Sequence, residues 1–338
     1  MKTRILLAAT TLVLLSTTAF AGPIPFTSQA LGGSPLVQTD LALASDGSST
    51  ALAAWRSDQA LGGVYAARIG TSGVIDRFAI PLDPDHSVKY GPVAAATSAG
   101  FLVVWATDTT IRIRLVGKDG TAGPVTEVPT LTGHNCKAPL IAARADSVVI
   151  VSGFCSGYSA TLTDVRGVVQ QSGFGVGGAN EAAGAAVAVA DPVGFCVVVA
   201  TPNAAQPDRD DLIGKRINSN GSTSPPFPVA TQVLRVNQIR AVFDGSNDFV
   251  LWSDQGGVRS ATIAPGANNA VAGGTIINSA VLDFDLANGW LVYAQGDGSH
   301  AQRLQSESAV GAPFTIDPNA AVPRVALFTT AALSVWIS

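Results

Sequence analysis

The chain has few charged side chains. They make up 13% of its 338 residues, against roughly 25% in an ordinary soluble domain. Intrinsic disorder is excluded, because it requires low hydrophobicity and high net charge, whereas 47% of the residues here are hydrophobic. With 20 basic and 24 acidic residues the net charge is −4, so the sequence offers no basic surface for binding nucleic acid.

Cysteine and histidine are also scarce, with three residues of each. This scarcity excludes a disulfide-dense small scaffold and a protein that holds several metal ions through these ligands. The longest apolar stretch, Ala182–Ala200, is interrupted by Asp191 and Pro192, so no transmembrane segment is expected. We predict a monomer with no resident cofactor.

The N-terminus has the pattern of a secretory leader. Lys2 and Arg4 precede the apolar run Ile5–Leu15, and Ala19-Phe20-Ala21 follows as a small-x-small cleavage pattern. We predict a signal peptide at residues 1–21, cleaved after Ala21, and a single mature domain at residues 22–338. The mature protein is expected to be secreted or periplasmic, in an oxidising compartment.

One pattern recurs seven times along the chain: a strand, a turn and a second apolar strand that ends in an aromatic residue. Two copies lack the aromatic residue. The copies are Leu41–Trp55, Pro92–Trp105, Pro139–Ser152, Val187–Ala200, Ile239–Trp252, Ala280–Tyr293 and Pro323–Trp336. Their last residues are 55, 105, 152, 200, 252, 293 and 336, which gives intervals of 41 to 52 residues. Such intervals are typical of β-propeller blades, each with four strands that we call a to d from the axis outwards.

The strand composition favours a propeller over a sandwich. Strand b is apolar on both faces, as in Phe101–Trp105, whereas a sandwich strand alternates because one of its faces meets water. Strand a is rich in alanine, as in Ala186–Ala190, which suits the crowded axis. We predict an all-β, seven-bladed propeller of four-stranded antiparallel blades. The N-terminal segment Pro25–Gln29 is expected to close the C-terminal blade, which would be one strand short.

One repeat copy resembles those of known proteins. The segment Phe243–Asp254 contains an Asp-Gly turn, then an apolar strand that ends in Trp252 and is followed by an acid. It resembles the repeat of secreted bacterial β-propeller proteins whose function is largely unassigned. Ser152 and Ala200 depart from the pattern at the tryptophan position. The resemblance implies a propeller and export, and it implies no activity.

Candidate ligand-binding residues fall on the face that carries the d–a and b–c loops. They are His86 and His134 in d–a loops, His300 in a b–c loop, and the acids Asp58, Asp108, Asp254 and Asp297 that follow the repeat copies. The acids could bind a cation or sugar hydroxyls, or a pair could act as acid and base in glycosidic cleavage. Alternatively each aspartate hydrogen-bonds its own turn, and the repetition favours this interpretation.

Two further sets have competing interpretations. His86 and His134, with Asp83 or Asp85, contain metal-binding groups, but their spacing matches no metal motif, so we predict no metal. The tryptophans Trp55, Trp105, Trp252 and Trp336 could stack against sugars. Their place at the end of an apolar strand makes core packing the favoured interpretation.

Cys136 and Cys155 are predicted to form a disulfide, because they lie just before strand a and just after strand b of the same repeat. Antiparallel neighbours bring such ends together. Cys196 lies inside the apolar strand Phe195–Val199 and is expected to be a buried free thiol.

The favoured function is a non-enzymatic exported binding or adhesion module for a glycan, a peptide or a surface partner. The alternative is an exported polysaccharide hydrolase or lyase with acids at the channel mouth. A purely structural coat element also remains open. Three dispersed histidines and the lack of a nucleophile elbow argue against a serine hydrolase.

Overall fold

The described residues form strands and no helix. The computed structural model describes residues 12–16, 24–25, 38–57, 63–84, 88–129, 134–155, 157–177, 185–287, 289–305, 308–318, 321–327 and 331–337. The strands are numbered β1 to β29 along the chain. Strand content without helix confirms the all-β prediction. None of the described residues belongs to a helix that could cross a membrane.

Strands β3 to β7 form a five-stranded sheet. They are β3 (Gln38–Ser45), β4 (Thr50–Ser57), β5 (Gly63–Gly70), β6 (Gly73–Val74) and β7 (Ile80–Asp83).

Five four-stranded blades follow, each with its strands in chain order. Blade 1 contains β8 (Tyr90–Thr97), β9 (Gly100–Ala106), β10 (Thr110–Val116) and β11 (Ala122–Pro129). Blade 2 contains β12 (Leu140–Ala143), β13 (Ser147–Phe154), β14 (Gly157–Asp164) and β15 (Val169–Gly177). Blade 3 contains β16 (Ala186–Ala190), β17 (Gly194–Asn203), β18 (Gln206–Asn218) and β19 (Phe227–Leu234). Blade 4 contains β20 (Gln238–Phe243), β21 (Asp248–Asp254), β22 (Gly257–Ile263) and β23 (Val271–Ile277). Blade 5 contains β24 (Asp283–Ala287), β25 (Trp290–Gln295), β26 (Gly298–Gln305) and β27 (Ser308–Asp317).

Blade 6 joins the two ends of the chain. Its strands, from the axis outwards, are β28 (Ala321–Leu327), β29 (Ala331–Ile337), β1 (Leu12–Ser16) and β2 (Ile24–Pro25). Strands β1 and β29 are antiparallel, with Leu12 opposite Val335 and Leu14 opposite Leu333. The innermost strands of neighbouring sheets contact one another, and the contact of β28 with β3 closes the ring.

The prediction of seven four-stranded blades is wrong, because six blades have four strands and the sheet at Gln38–Asp83 has five. Its outer position is divided between β6 and β7, which both pair with β5. The carboxylate of Asp76 accepts the backbone N–H of Arg68 at 2.7 Å and pairs with its guanidinium at 2.5 Å. This side chain takes the place of a ladder hydrogen bond, so the outer strand is interrupted.

In the full chain the C-terminal blade has four strands, whereas the prediction that it is one strand short concerns the mature chain at residues 22–338, which would lack β1. Strand β1 takes the third position, and it comes from inside the segment predicted to be a leader. Of the predicted closing segment, Pro25 lies in β2, and residues 26–29 lie outside the described residues. The repeat pattern did not reveal β1 because an apolar run suits a signal peptide and a buried strand equally well.

The second strands of several sheets are buried along their whole length. Every residue of β9, β13 and β21 is buried. Apolar side chains on both faces of these strands pack against a neighbouring sheet, as the sequence predicts. Trp55, Trp105 and Trp252 lie in these interfaces with at most 4% of their surface exposed, so core packing describes them better than sugar stacking does.

A buried cluster of three charges links blades 3 and 4. Arg216 on β18 pairs with Asp191 and, at 3.0 Å, with Asp248 at the start of β21. Both carboxylates have no exposed surface. Burial is the main influence that raises the pKa of Asp248 from 3.8 to about 7, and Asp191 adds to it while Arg216 opposes it. Removing a carboxylate from water penalises its charged form.

The pH dependence of protein stability should reveal the raised pKa of the Asp248 carboxyl group. Between about pH 4 and 7 the folded chain holds one more proton at Asp248 than the unfolded chain, so this group makes stability fall as pH rises. In Asp248→Asn this contribution is lost. We expect the wild type to lose stability relative to the variant by up to about 1.4 kcal/mol per pH unit in this range, and no further above it.

Urea unfolding at a series of pH values measures the difference. Asp208→Asn is the matched control, because Asp208 is exposed and its replacement should leave the slope unchanged. Equal slopes for the wild type and Asp248→Asn would contradict the assignment.

Cys136 and Cys155 form a disulfide between the start and the end of the inner hairpin of blade 2, with Cα atoms 5.1 Å apart. The backbone N–H of Cys136 also donates to the carbonyl of Gly153 at 3.0 Å. Cys196 is a buried free thiol in β17, and burial raises its pKa to about 12. It therefore has almost no thiolate at neutral pH.

The double variant Cys136→Ser/Cys155→Ser should lose about 3 kcal/mol of unfolding free energy, since the disulfide restricts the unfolded chain. Denaturant unfolding measures this loss. Dithiothreitol should reproduce it in the wild type and have no effect on the variant. Thiol titration of the wild type should find one reactive group, and only after unfolding. Three thiols in unreduced protein would contradict the pairing.

Candidate functional site

The propeller axis contains a cavity of about 420 Å³. It opens where the innermost strands begin, on the face of the d–a and b–c loops. Most of its lining is apolar or small, such as Val93, Pro139 and Ala188. Four charged side chains also line it: Asp40, Arg240, Asp285 and Arg324. We call these four residues the channel cluster.

Three members of the channel cluster occupy the same position in consecutive blades. Arg240 lies opposite Leu251, Asp285 opposite Val292 and Arg324 opposite Val335. Each partner directly precedes the last residue of its repeat copy, namely Trp252, Tyr293 and Trp336. Blades 4, 5 and 6 therefore direct Arg, Asp and Arg to the same level of the channel. The corresponding residue of blade 1 is Val93, opposite Val104, so the charge is confined to one side.

The arginines of the channel cluster are held by carboxylates. The Nε atom of Arg240 lies 3.2 Å from Oδ1 of Asp285. The Nη1 atom of Arg324 lies 2.9 Å from Oδ2 of Asp283, and its Nε donates to the carbonyl of Leu41 at 3.0 Å. Oδ2 of Asp285 also accepts the backbone N–H of Val325 at 2.9 Å. The cluster thus ties blades 4, 5 and 6 to the five-stranded sheet.

Burial and neighbouring charges shift the pKa values of the two guanidinium groups in opposite directions. Burial is the main factor that lowers the pKa of Arg240, and the charge of Arg324 adds to it. Burial also acts to lower the pKa of Arg324, but Asp283 and Asp285 outweigh it and raise that pKa. Neither Nη2 atom makes a hydrogen bond to a described residue. Donors therefore remain available in the cavity.

Asp40 stands at the rim with a strained backbone. Its φ is +52°, a region that aspartate tolerates better than most residues. Its carboxylate lies 3.2 Å from Nε of Arg56 and keeps 44% of its surface exposed. The Asp40 side chain packs directly on Gly91, where an added Cβ would overlap it. Gly91 is therefore required for the close approach of β3 and β8.

The structure brings two of the predicted ligand-binding residues together beside this mouth. Oδ2 of Asp108 bonds to Nδ1 of His134, and Oδ1 lies 2.6 Å from Nζ of Lys89. These hydrogen bonds, with Lys89 as the larger influence, lower the pKa of Asp108. All three side chains are more than a third exposed. The nearby Asn135 donates from its side chain to the carbonyls of Thr107 and Thr110 and anchors the loop.

Other predicted residues have local partners. Asp254 accepts the N–H of Gly256 at 2.6 Å and pairs with Arg259 at 3.0 Å, in agreement with the turn interpretation. Asp297 lies 2.9 Å from Nε2 of His300. The prediction that His300 lies in a loop is wrong, because it belongs to β26 and stacks on Tyr293.

The remaining predicted residues are Asp58, Asp83, Asp85 and His86. Asp58, Asp85 and His86 lie outside the described residues. Asp83 is buried and accepts hydrogen bonds from Trp105 and Arg112. Among the described residues there is no group of three or more His, Cys, Asp or Glu that could hold a metal ion.

The channel cluster was not predicted from the sequence. Its signal is a charged residue inside an otherwise apolar or small innermost strand, as in Ile239-Arg240-Ala241 and Phe284-Asp285-Leu286.

No known protein family and no curated protein matches the sequence. Similar solved structures include a putative 6-phosphogluconolactonase from Bacteroides uniformis, with a TM-score of 0.59 and 12% identity over 92% of this chain and 98% of that one. A putative 6-phosphogluconolactonase from Bacteroides fragilis has a TM-score of 0.58 and 9% identity over 94% and 98%. A mutant of AofleA from Arthrobotrys oligospora has a TM-score of 0.55 and 10% identity over 83% and 87%.

The chain is a β-propeller. At these identities the likeness establishes the fold and carries no activity to this protein.

The rim of the channel should be sensitive to a single methyl group. Gly91→Ala forces Asp40 away from β8, and we expect a loss of about 1–3 kcal/mol, typical of overpacking. Gly175→Ala is the matched control, since an added Cβ there meets nothing within 4 Å. Thermal and urea unfolding of both variants measure the effect, and equal stabilities would contradict the close approach.

Proposed function

We propose that this protein is an exported, non-enzymatic binding module that recognises the end of a neutral glycan in the mouth of its central channel. The observation that carries the proposal is the convergence of Arg240, Asp285 and Arg324 from equivalent positions of three consecutive blades. Ionic side chains at a crowded axis are costly unless they are paired, and a fold of this type does not require them there.

The chemistry of the channel cluster suits hydroxyl groups. A sugar hydroxyl both donates and accepts, so it can bridge a guanidinium and a carboxylate. Two arginines and two aspartates line the cavity, so its charges are balanced and favour a neutral ligand. A volume of about 420 Å³ is in the range of small-molecule sites. The exposed carboxylate of Asp40 at the rim adds an acceptor.

The ion pairs favour binding over hydrolysis. A glycosidase needs two carboxyl groups that face the substrate, one of them protonated. Here the two carboxylates that line the cavity face arginines, Asp285 with Arg240 and Asp40 with Arg56. Cleavage of a polysaccharide by these acids is therefore the second candidate function. Release of reducing ends distinguishes cleavage from binding.

Export rests on the leader pattern at residues 1–21. Cleavage after Ala21 would detach β1 from β29, because β1 lies within the leader. N-terminal sequencing of the secreted protein tests this part, and an intact N-terminus would contradict it.

Arg240→Gln should weaken glycan binding by about tenfold or more, since it removes a charged donor from the cavity. A glycan array with protein expressed from the full-length chain identifies the ligand, and calorimetry measures the affinity. Arg303→Gln is the matched control, because Arg303 is an exposed strand residue of blade 5.

Failure of the wild type to bind any glycan, or equal losses in the two variants, would contradict the proposal. Release of reducing ends from a bound polysaccharide, abolished in Asp285→Asn, would establish the enzymatic alternative.

A further inference from the structure

A second cavity, of about 600 Å³, lies at the side of the propeller between blades 3 and 4. One wall is β19, with Pro228, Ala230 and Thr231. The other wall includes Trp252, Arg259 and Thr275 of blade 4. We call this cavity the lateral groove. The lateral groove is separate from the channel cluster, so a ligand bound there would be additional to the glycan proposed for the channel.

Trp252 has an unsatisfied donor in this groove. The residue is 4% exposed, and its Nε1–H has no hydrogen-bond partner. A buried donor without an acceptor costs stability. Most such groups in folded proteins are paired, so a native exception needs a physical reason.

Blade 1 contains the same arrangement with its acceptor in place. Trp105 lies opposite Arg112 in the pairing of β9 with β10, just as Trp252 lies opposite Arg259 in the pairing of β21 with β22. In blade 1 the carboxylate of Asp83, on the outer strand of the preceding sheet, accepts both side chains. Its Oδ2 lies 2.9 Å from Nε1 of Trp105 and 2.7 Å from Nη1 of Arg112.

The lateral groove lacks that carboxylate. The wall that blade 3 contributes carries Thr231, near the end of β19. No acid lines the groove. A second acid is missing too. Glu127 lies opposite Arg112 and pairs with it at 2.7 Å, whereas Thr275 lies opposite Arg259. The guanidinium of Arg259 therefore keeps one carboxylate partner, Asp254, among the described residues, whereas Arg112 has two.

We propose that the lateral groove binds a sugar carboxylate, with the ligand oxygen taking the place that Asp83 holds in blade 1. The guanidinium of Arg259 donates to this carboxylate, and the indole ring of Trp252 turns on binding so that Nε1, which is closed to water without the ligand, donates as well. Arg259 keeps 39% of its side-chain surface exposed, so a ligand can reach it. The hydroxyls of Thr231, Ser260 and Thr275 line the rest of the groove and suit a hydroxylated ring.

Indole NMR signals provide the test. In the full chain labelled with ¹⁵N-tryptophan, the five tryptophans give five indole N–H signals. D-glucuronate should shift one of them, and that signal should be absent from Trp252→Phe. Glucose, which lacks the carboxylate but keeps the ring, should shift none. Trp252→Phe should weaken glucuronate binding by about tenfold, since the phenyl ring keeps the packing and removes the donor.

Trp105→Phe is the matched control, because its donor is already satisfied by Asp83, and glucuronate binding should persist in it. The inference is overturned if glucuronate shifts no indole signal, if the shifted signal remains in Trp252→Phe, or if glucose produces the same shift. Should Trp252→Phe fail to fold, the comparison of glucuronate with glucose on the wild type decides the question.

Discussion

Burial of both faces of the second strand, as in blades 1, 2 and 4, is the constraint on which the rest of this structure depends. A strand such as β9 has no face for water, so its residues are apolar throughout and its sheet is stable only between two neighbours. The ring satisfies this requirement for every sheet at once. It also explains the low charge of the chain, because few positions remain where a charged side chain is hydrated.

Charges that do enter the interior do so in pairs, and they mark special positions. Arg216 with Asp191 and Asp248 joins two blades, and Arg112 with Asp83 joins blade 1 to the five-stranded sheet. The channel cluster follows the same rule at the axis. The lateral groove differs from its counterpart in blade 1, since a buried donor of Trp252 lacks the acceptor that Trp105 has.

The repeat made the propeller fold predictable. Two of the sheets nevertheless differ from the strand arrangement that the repeat predicts. Apolar residues on both faces of strand b and alanine in strand a were enough to indicate a propeller. The extra strand of the five-stranded sheet was not predictable, because it depends on the contact of Asp76 with Arg68 eight residues earlier. The third strand of blade 6 was not predictable either. The apolar run Leu12–Ser16 suits a leader and a buried strand alike, and only its pairing with β29 separates them.

The sequence by itself determined the all-β class, the repeat, the burial of Trp55, Trp105 and Trp252, and the local partners of Asp254. These properties follow from periodicity and from contacts within one hairpin. The tertiary structure alone decided which charges meet at the axis, since Arg240, Asp285 and Arg324 are 45 and 39 residues apart. It also decided which buried tryptophan donors are left unsatisfied, namely those of Trp55 and Trp252. Both depend on how neighbouring blades face each other, and no local pattern in the chain encodes that geometry.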